Sequence, residues 1–176
     1  LGDVYKRQGV SIFGKRTISS YPFSMFETMD NLVFLASQNG RLAYYDVNTM
    51  QFNIVPFQEK IQHINGIKVL KDNQLAVLSD KGLYLCHFPE LAMEKYDFSL
   101  PGHDDAAVRK VYQDSKGFLW IFTGLPGIIR LDPETGVKQY LNTPSGYMAS
   151  SPENGLFIYE DPNGVVWTLS LIHISE

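Results

Sequence analysis

The chain has 176 residues, a formal net charge of −4, 44% hydrophobic and 13% aromatic residues, and one cysteine. That length suits one ordinary domain, mild acidity without a Lys/Arg cluster argues against a surface that tracks nucleic-acid phosphates, and no apolar run approaches a membrane span. The lone Cys86, in GLYLCHF, excludes an internal disulfide or a thiolate metal cluster and reads as a small core residue.

The two ends stand apart from the rest. Codons chosen for LGDVYKRQ, residues 1–8, have a reverse complement that translates as LSLIHISE, residues 169–176. One DNA segment read from opposite strands can therefore encode both. The pair resembles translated sequencing-adapter DNA, and such scars are excluded from fold reasoning. His173 falls in this segment and is set aside. Residues 9–168 are expected to carry the fold, as a fragment of a larger domain whose incomplete ends would behave poorly in isolation.

From Gly9 onward the dominant feature is a repeat. GVSIF and TISSY read as the tail of a unit whose beginning is missing. Four further units follow, spanning about 25–57, 64–98, 108–141 and a truncated 155–168. Each opens with a turn and a short apolar strand: MDNLVFLAS, KDNQLAVLS, QDSKGFLWIFT and EDPNGVVWT. Their aspartates, Asp30, Asp72, Asp114 and Asp161, are 42, 42 and 47 residues apart. A Gly-led strand comes next in the complete units (GRLAYYD, GLYLCHF, GIIRLD), then a second turn (DVNT, FPEL, DPETG), then a strand closing on an aromatic residue. The turn sequences carry Asx and glycine residues suited to tight hairpins. The runs between them are too short for helices and rich in strand-forming residues. Four short antiparallel strands repeating about every 40–45 residues form a propeller blade. The predicted fold class is all-β: a partial β-propeller, an open arc of about four four-stranded antiparallel blades.

The third and fourth units, VYQDSKGFLWIFTGLPGIIRLDPETGVKQY and IYEDPNGVVWT, resemble the two-component regulator propeller repeat. That family builds the extracytoplasmic sensor region of hybrid two-component system histidine kinases, known especially from gut Bacteroidetes that scavenge polysaccharides. The resemblance implies a periplasmic, ligand-sensing segment that binds an oligosaccharide and signals, in a homodimeric parent, to a histidine kinase absent from this chain. The first and second units lack the motif tryptophan, with Phe34 and Val77 set at its place, and Phe122 replaces a glycine in the third.

The motif residues themselves read as scaffold. Asp114 and Asp161 can accept backbone amides, Gly117 and Gly164 can take positive φ, and Trp120 and Trp167 can pack between blades. Gly40, Gly82 and Gly127 would begin the next strand in a tight bend.

No catalytic motif stands out. His103, Asp104 and Asp105 are residue types able to ligate a metal or exchange protons, but PGHDDAAV reads better as a solvated turn. No metal, cofactor, nucleic-acid or membrane contact is expected. His87 reads as a strand residue that is packed or at an edge. Ligands of propellers meet loops that converge at one mouth of the channel, and the segments joining successive units vary most. The candidate ligand contacts are therefore His63, Asn65, His103, Asp104 and Tyr147. Two competing functions remain open. DPNGVVWT also resembles repeats of propeller lyases acting on cyclic peptide antibiotics, so a propeller enzyme (lyase or glycosidase-like) is one. A protein-interaction scaffold is the other.

Overall fold

The computed structural model describes residues 23–98, 107–123, 127–141 and 156–170. Within them the chain forms strands alone. The first blade is β1 (Phe23–Met29), β2 (Leu32–Ser37), β3 (Arg41–Asp46) and β4 (Gln51–Val55). The second is β5 (Ile64–Val69), β6 (Gln74–Ser79), β7 (Gly82–His87) and β8 (Ala92–Tyr96). The third is β9 (Val108–Gln113), β10 (Leu119–Thr123), β11 (Ile128–Leu131) and β12 (Lys138–Leu141). The fourth is a hairpin of β13 (Leu156–Glu160) and β14 (Val166–Ser170). Every pair is antiparallel, and each sheet runs in sequence order, as expected from the repeat. Strand β14 continues through Leu169 and Ser170, which pair with Phe157 and Leu156. The hairpin thus takes in the first two residues of the 169–176 segment. Residues 1–8 lie outside the described residues.

The near-continuous apolar runs of the second blade follow from its position between two neighbours. A strand points successive side chains to opposite faces, so a sheet covered on both sides needs apolar residues at every position. Leu75 and Val77 of β6, with Tyr84 and Cys86 of β7, pack against Phe34, Ala36 and Leu42 of the first blade. The alternate residues, Ala76, Leu78, Leu83 and Leu85, pack against Val111, Leu119, Ile121, Ile129 and Leu131 of the third. Full burial of such side chains contributes about 1.5–3 kcal/mol each, which makes these two interfaces the principal adhesive of the fold. Phe34 sits edge-on to Phe88 across the first of them, with ring centroids 4.8 Å apart.

Burial also explains the behaviour of the second-blade polar groups. The Cys86 thiol lies within the core, and burial pushes its pKa up to about 11. Gly82, with φ at 121°, begins β7 where any Cβ would run into the Tyr96 carbonyl oxygen. The left-handed region already disfavours a side chain there, and the close approach of β8 removes the space as well.

A repeating bond joins the later blades at their first turns. The Gln113 side chain accepts the Lys71 backbone N–H at 2.8 Å. One blade later, Glu160 accepts the Ser115 N–H at 2.8 Å and the Ser115 hydroxyl as well. In each case the last residue of a blade's innermost strand reaches back to the first loop residue of the preceding blade. The Lys71 ammonium strengthens the earlier junction by donating to the carbonyls of Asp114 and Ser115.

Candidate functional site

The first turn of each blade is where sequence and structure diverge most. In the third blade the Asp114 carboxylate closes the turn. Its Oδ1 accepts the N–H groups of Lys116 and Phe118 at 3.0 and 2.9 Å, and its Oδ2 accepts the Trp120 indole N–H at 2.9 Å. The fourth blade repeats the arrangement: Asp161 Oδ1 accepts Asn163 and Val165 at 2.9 and 3.0 Å, and Oδ2 accepts Trp167 at 3.0 Å. Gly117 and Gly164 complete the turns at positive φ, 91° and 77°. The Trp167 indole N–H above all, with the backbone N–H groups of Val165 and Asn163, holds the Asp161 carboxyl below its ordinary value.

Ladder register corrects the alignment of the earlier units. Leu70 donates to the Gln74 carbonyl just as Asp114 donates to that of Phe118, so Leu70, not Asp72, is the counterpart of Asp114. Leu75 pairs with Val69 as Leu119 pairs with Gln113, which places Ala76, not Val77, opposite the Trp120 position. In the first blade the same positions fall on Met29 and Phe34. Asp30 and Asp72 instead sit within the loops at positive φ, 50° and 57°. Similar Asp-containing strings concealed a shift of one to two residues.

The correction has a physical rationale. Met29, Phe34, Leu70 and Ala76 lie in the apolar contact with the following blade. Asp114, only 4% exposed, occupies the corresponding place in the third blade. A buried carboxylate needs donors, and the indole N–H supplies one. Where the acid is absent the indole is absent too. Trp167 lies on the face of the fourth blade that a further blade would cover, and it is 55% exposed.

Of the five ligand-contact candidates, His103, Asp104 and Tyr147 lie outside the described residues. His63 and Asn65 flank the start of β5, on the edge where the β2–β3 and β6–β7 turns and the inter-blade segments meet. Asp80, in the β6–β7 turn, fixes this corner: its carboxylate accepts the N–H groups of Gln62 and His63 at 3.2 and 3.1 Å, and its own N–H donates to the His63 carbonyl. The His63 side chain is exposed. The Asn65 amide instead donates to the Val108 carbonyl at 2.9 Å, tying the second blade to the third.

On the opposite edge, where the first and third turns of each blade lie, a cleft of about 340 Å³ opens between the second and third blades. It is lined by Asp72, Glu94, Asp132 and Glu134 together with Gln74 and His87. These residues come from separate loops and strands, and along the sequence the turn aspartates among them read only as parts of the repeat motif. Among the described residues no group of three or more His, Cys, Asp or Glu is placed to hold a metal ion, and no helix is long and apolar enough to cross a membrane.

No protein-family model and no curated protein matches this chain. Solved structures do. The extracellular domain of a putative one-component system from B. thetaiotaomicron aligns with a TM-score of 0.59 at 18% identity, covering 83% of this chain and 20% of that one. The fold is an arc of a β-propeller. The extracellular domain of a putative hybrid two-component system from the same organism gives 0.57 at 17% identity, covering 87% and 20%. Virginiamycin B lyase from Staphylococcus aureus gives 0.63 at 14% identity, covering 81% and 47%. The arc thus spans about a fifth of the two extracellular-domain chains and about half of the lyase. Its neighbours include both extracellular domains of signalling systems and a lyase, and at identities this low the likeness establishes the shared fold alone.

Proposed function

We propose that this chain is part of the extracytoplasmic, ligand-sensing propeller of a hybrid two-component regulator. The observation that carries the reading is the Asp-x-x-Gly-x-x-Trp turn, built twice with the same three bonds, in a chain whose fold matches extracellular sensor domains. The ligand is an oligosaccharide, contacted on the inter-blade edge by His63, His103, Asp104 and Tyr147. The segment lies in the periplasm, binds without turnover, and works within a homodimeric parent by shifting the balance between two states of a histidine kinase. Such a shift requires the ligand to favour one state over the other.

The test is a binding screen of the full chain against a panel of oligosaccharides, with His63→Ala alongside. The expected result is saturable binding that His63→Ala weakens, with the sugar recovered intact. Cleavage of the bound sugar, or binding indifferent to His63, would refute this reading. A second reading, a lyase, draws on the 0.63 TM-score to virginiamycin B lyase. Linearisation of quinupristin, the molecule bound in one of the lyase structures, by this chain would favour it.

A further inference from the structure

We propose that Asn39, in the β2–β3 turn, is a site of covalent modification that deamidates through Gly40 and leaves isoaspartate where the first two blades meet. The inference concerns this turn alone and stands whether or not an oligosaccharide binds nearby.

Asn39 is followed by glycine, as are Asn65 and Asn163; Asn154, also followed by glycine, lies outside the described residues. Glycine carries no side chain to shield its nitrogen, and its backbone is the least restricted, so each pair can take the same step. The glycine nitrogen bonds to the asparagine Cγ, the Cγ–Nδ2 bond breaks, and ammonia leaves with the glycine amide proton. Water then opens the resulting succinimide. Opening at the Cγ–N bond gives aspartate. Opening at the main-chain carbonyl gives isoaspartate, in which the backbone runs through Cβ and Cγ and is one carbon longer.

The structure separates the three pairs. Asn65 is held in β5, with its amide donating to the Val108 carbonyl at 2.9 Å. Asn163 and Asn39 stand in like turns, where Gly164 and Gly40 have φ of 77° and 76°. Gly164 donates to the Asp161 carbonyl at 2.9 Å, and Gly40 to the Ser37 carbonyl at 3.2 Å, the long end of the usual range. What differs most is the cap. Asp161 Oδ1 also accepts the N–H groups of Asn163 and Val165, and Glu160 Oε1 lies 3.7 Å from where a Cβ on Gly164 would be. Attack requires the glycine N–H to lose its proton, and carboxylates this near disfavour the anion.

The β2–β3 turn has no such cap. In the second blade Ser79 Oγ accepts the Lys81 N–H at 3.0 Å and donates to the Gly82 carbonyl at 2.9 Å. Its counterpart Ser37 is 1% exposed, and its Oγ has no partner. Asn39 itself is exposed, and Arg41 follows the pair directly, a cation that favours the anion. The turn also bears on the second blade. The Ile64 N–H donates to the Gln38 carbonyl at 3.2 Å, and a Cβ on Gly40 would run into the Ile61 carbonyl oxygen. An extra backbone carbon between Gln38 and Gly40 displaces both contacts and brings a negative charge with it.

The full chain is incubated at mildly alkaline pH, in native buffer and in denaturing urea. Peptide mass spectrometry follows each Asn-Gly pair, and an isoaspartate-specific methyltransferase identifies the isomer. In the native chain Asn39 is expected to convert about tenfold faster than Asn163 or Asn65, since conversion passes through the locally opened turn. In urea the three rates should converge. Hydrogen exchange at the Ile64 N–H should quicken in the aged native chain. Asn39→Gln should abolish modification at this turn, keep Ile64 protected on ageing, and leave the Asn163 rate unchanged. Absence of isoaspartate at Asn39, native conversion of Asn163 or Asn65 at or above the Asn39 rate, or equal quickening of Ile64 exchange in aged Asn39→Gln would overturn the proposal.

Discussion

The pairing of a buried acid with an indole makes the sharpest prediction. Replacing Asp114 with Met, the residue found at that position in the first blade, removes the acceptor of the Lys116, Phe118 and Trp120 N–H groups. Loss of a turn cap is worth about 0.5–2 kcal/mol and an orphaned buried donor about 1–3 kcal/mol, so Asp114→Met should cost roughly 2–4 kcal/mol by these principles. Trp120→Phe alone strands one carboxylate oxygen of a residue that is 4% exposed and should cost about 1–3 kcal/mol. Removing both partners together costs less than the two single losses summed, because the indole N–H and the carboxylate oxygen that accepts it disappear together, leaving only the Lys116 and Phe118 N–H groups without their acceptor. The double variant reproduces the Met29 and Phe34 pair of the first blade, where the contact is wholly apolar. It should therefore be more stable than the sum of the single costs predicts, by about 1–2 kcal/mol. The assay is urea unfolding followed by far-ultraviolet circular dichroism, since two of the variants lose a tryptophan. Single costs that add to within about 0.5 kcal/mol would refute the coupling and, with it, the explanation for why acid and indole occur together.

Three other outcomes follow from the geometry. Gly82→Ala should destabilise the chain by about 2–3 kcal/mol, through a left-handed φ and a collision with the β8 backbone, measurable as a fall in thermal midpoint; an unchanged midpoint would contradict the close approach. The Glu160 carboxyl is held below its ordinary value of 4.5, chiefly by the Ser115 hydroxyl and then by the Ser115 N–H and the Tyr112 hydroxyl. With its folded pKa depressed, its contribution is present above 4.5 and lost as pH falls through the lower folded value; hydrogen-exchange protection of the β13–β14 hairpin should fall in that window, and Glu160→Gln should abolish that pH dependence. Cys86, with burial pushing its pKa up to about 11, should resist thiol reagents in the folded chain at pH near 8 and react only on unfolding; prompt labelling of native protein would place it at the surface.

How much was legible in advance depended on whether a feature is local. Blade boundaries were readable because turn chemistry and strand composition act over a few residues. KDNQLAVLS contains the whole of β6, and GLYLCHF covers β7 and runs one residue past it. The Asp114 and Asp161 turns were also marked, since Asp, Gly and Trp recur at the same spacing. Equivalence of Asp30 and Asp72 with Asp114 was not readable, because register is set by which residues face each other across a ladder: Asp72 sits two residues into a turn as long as that of the third blade, and Asp30 one residue into a shorter one. The role of Asn65 escaped for a related reason: its partner Val108 lies 43 residues away, and nothing in either neighbourhood announces the other.

Sequence alone determined that this chain is a succession of four-stranded units, because hairpin turns and short apolar strands are local and repeat. Tertiary structure decided what occupies each place between the units. Apolar residues fill the first two inter-blade junctions, while a carboxylate satisfied by an indole appears at the third. It also decided where polar groups converge, since the cleft draws its walls from turns of two different blades. Stacking brings those turns together, and no spacing along the chain encodes a distance across it.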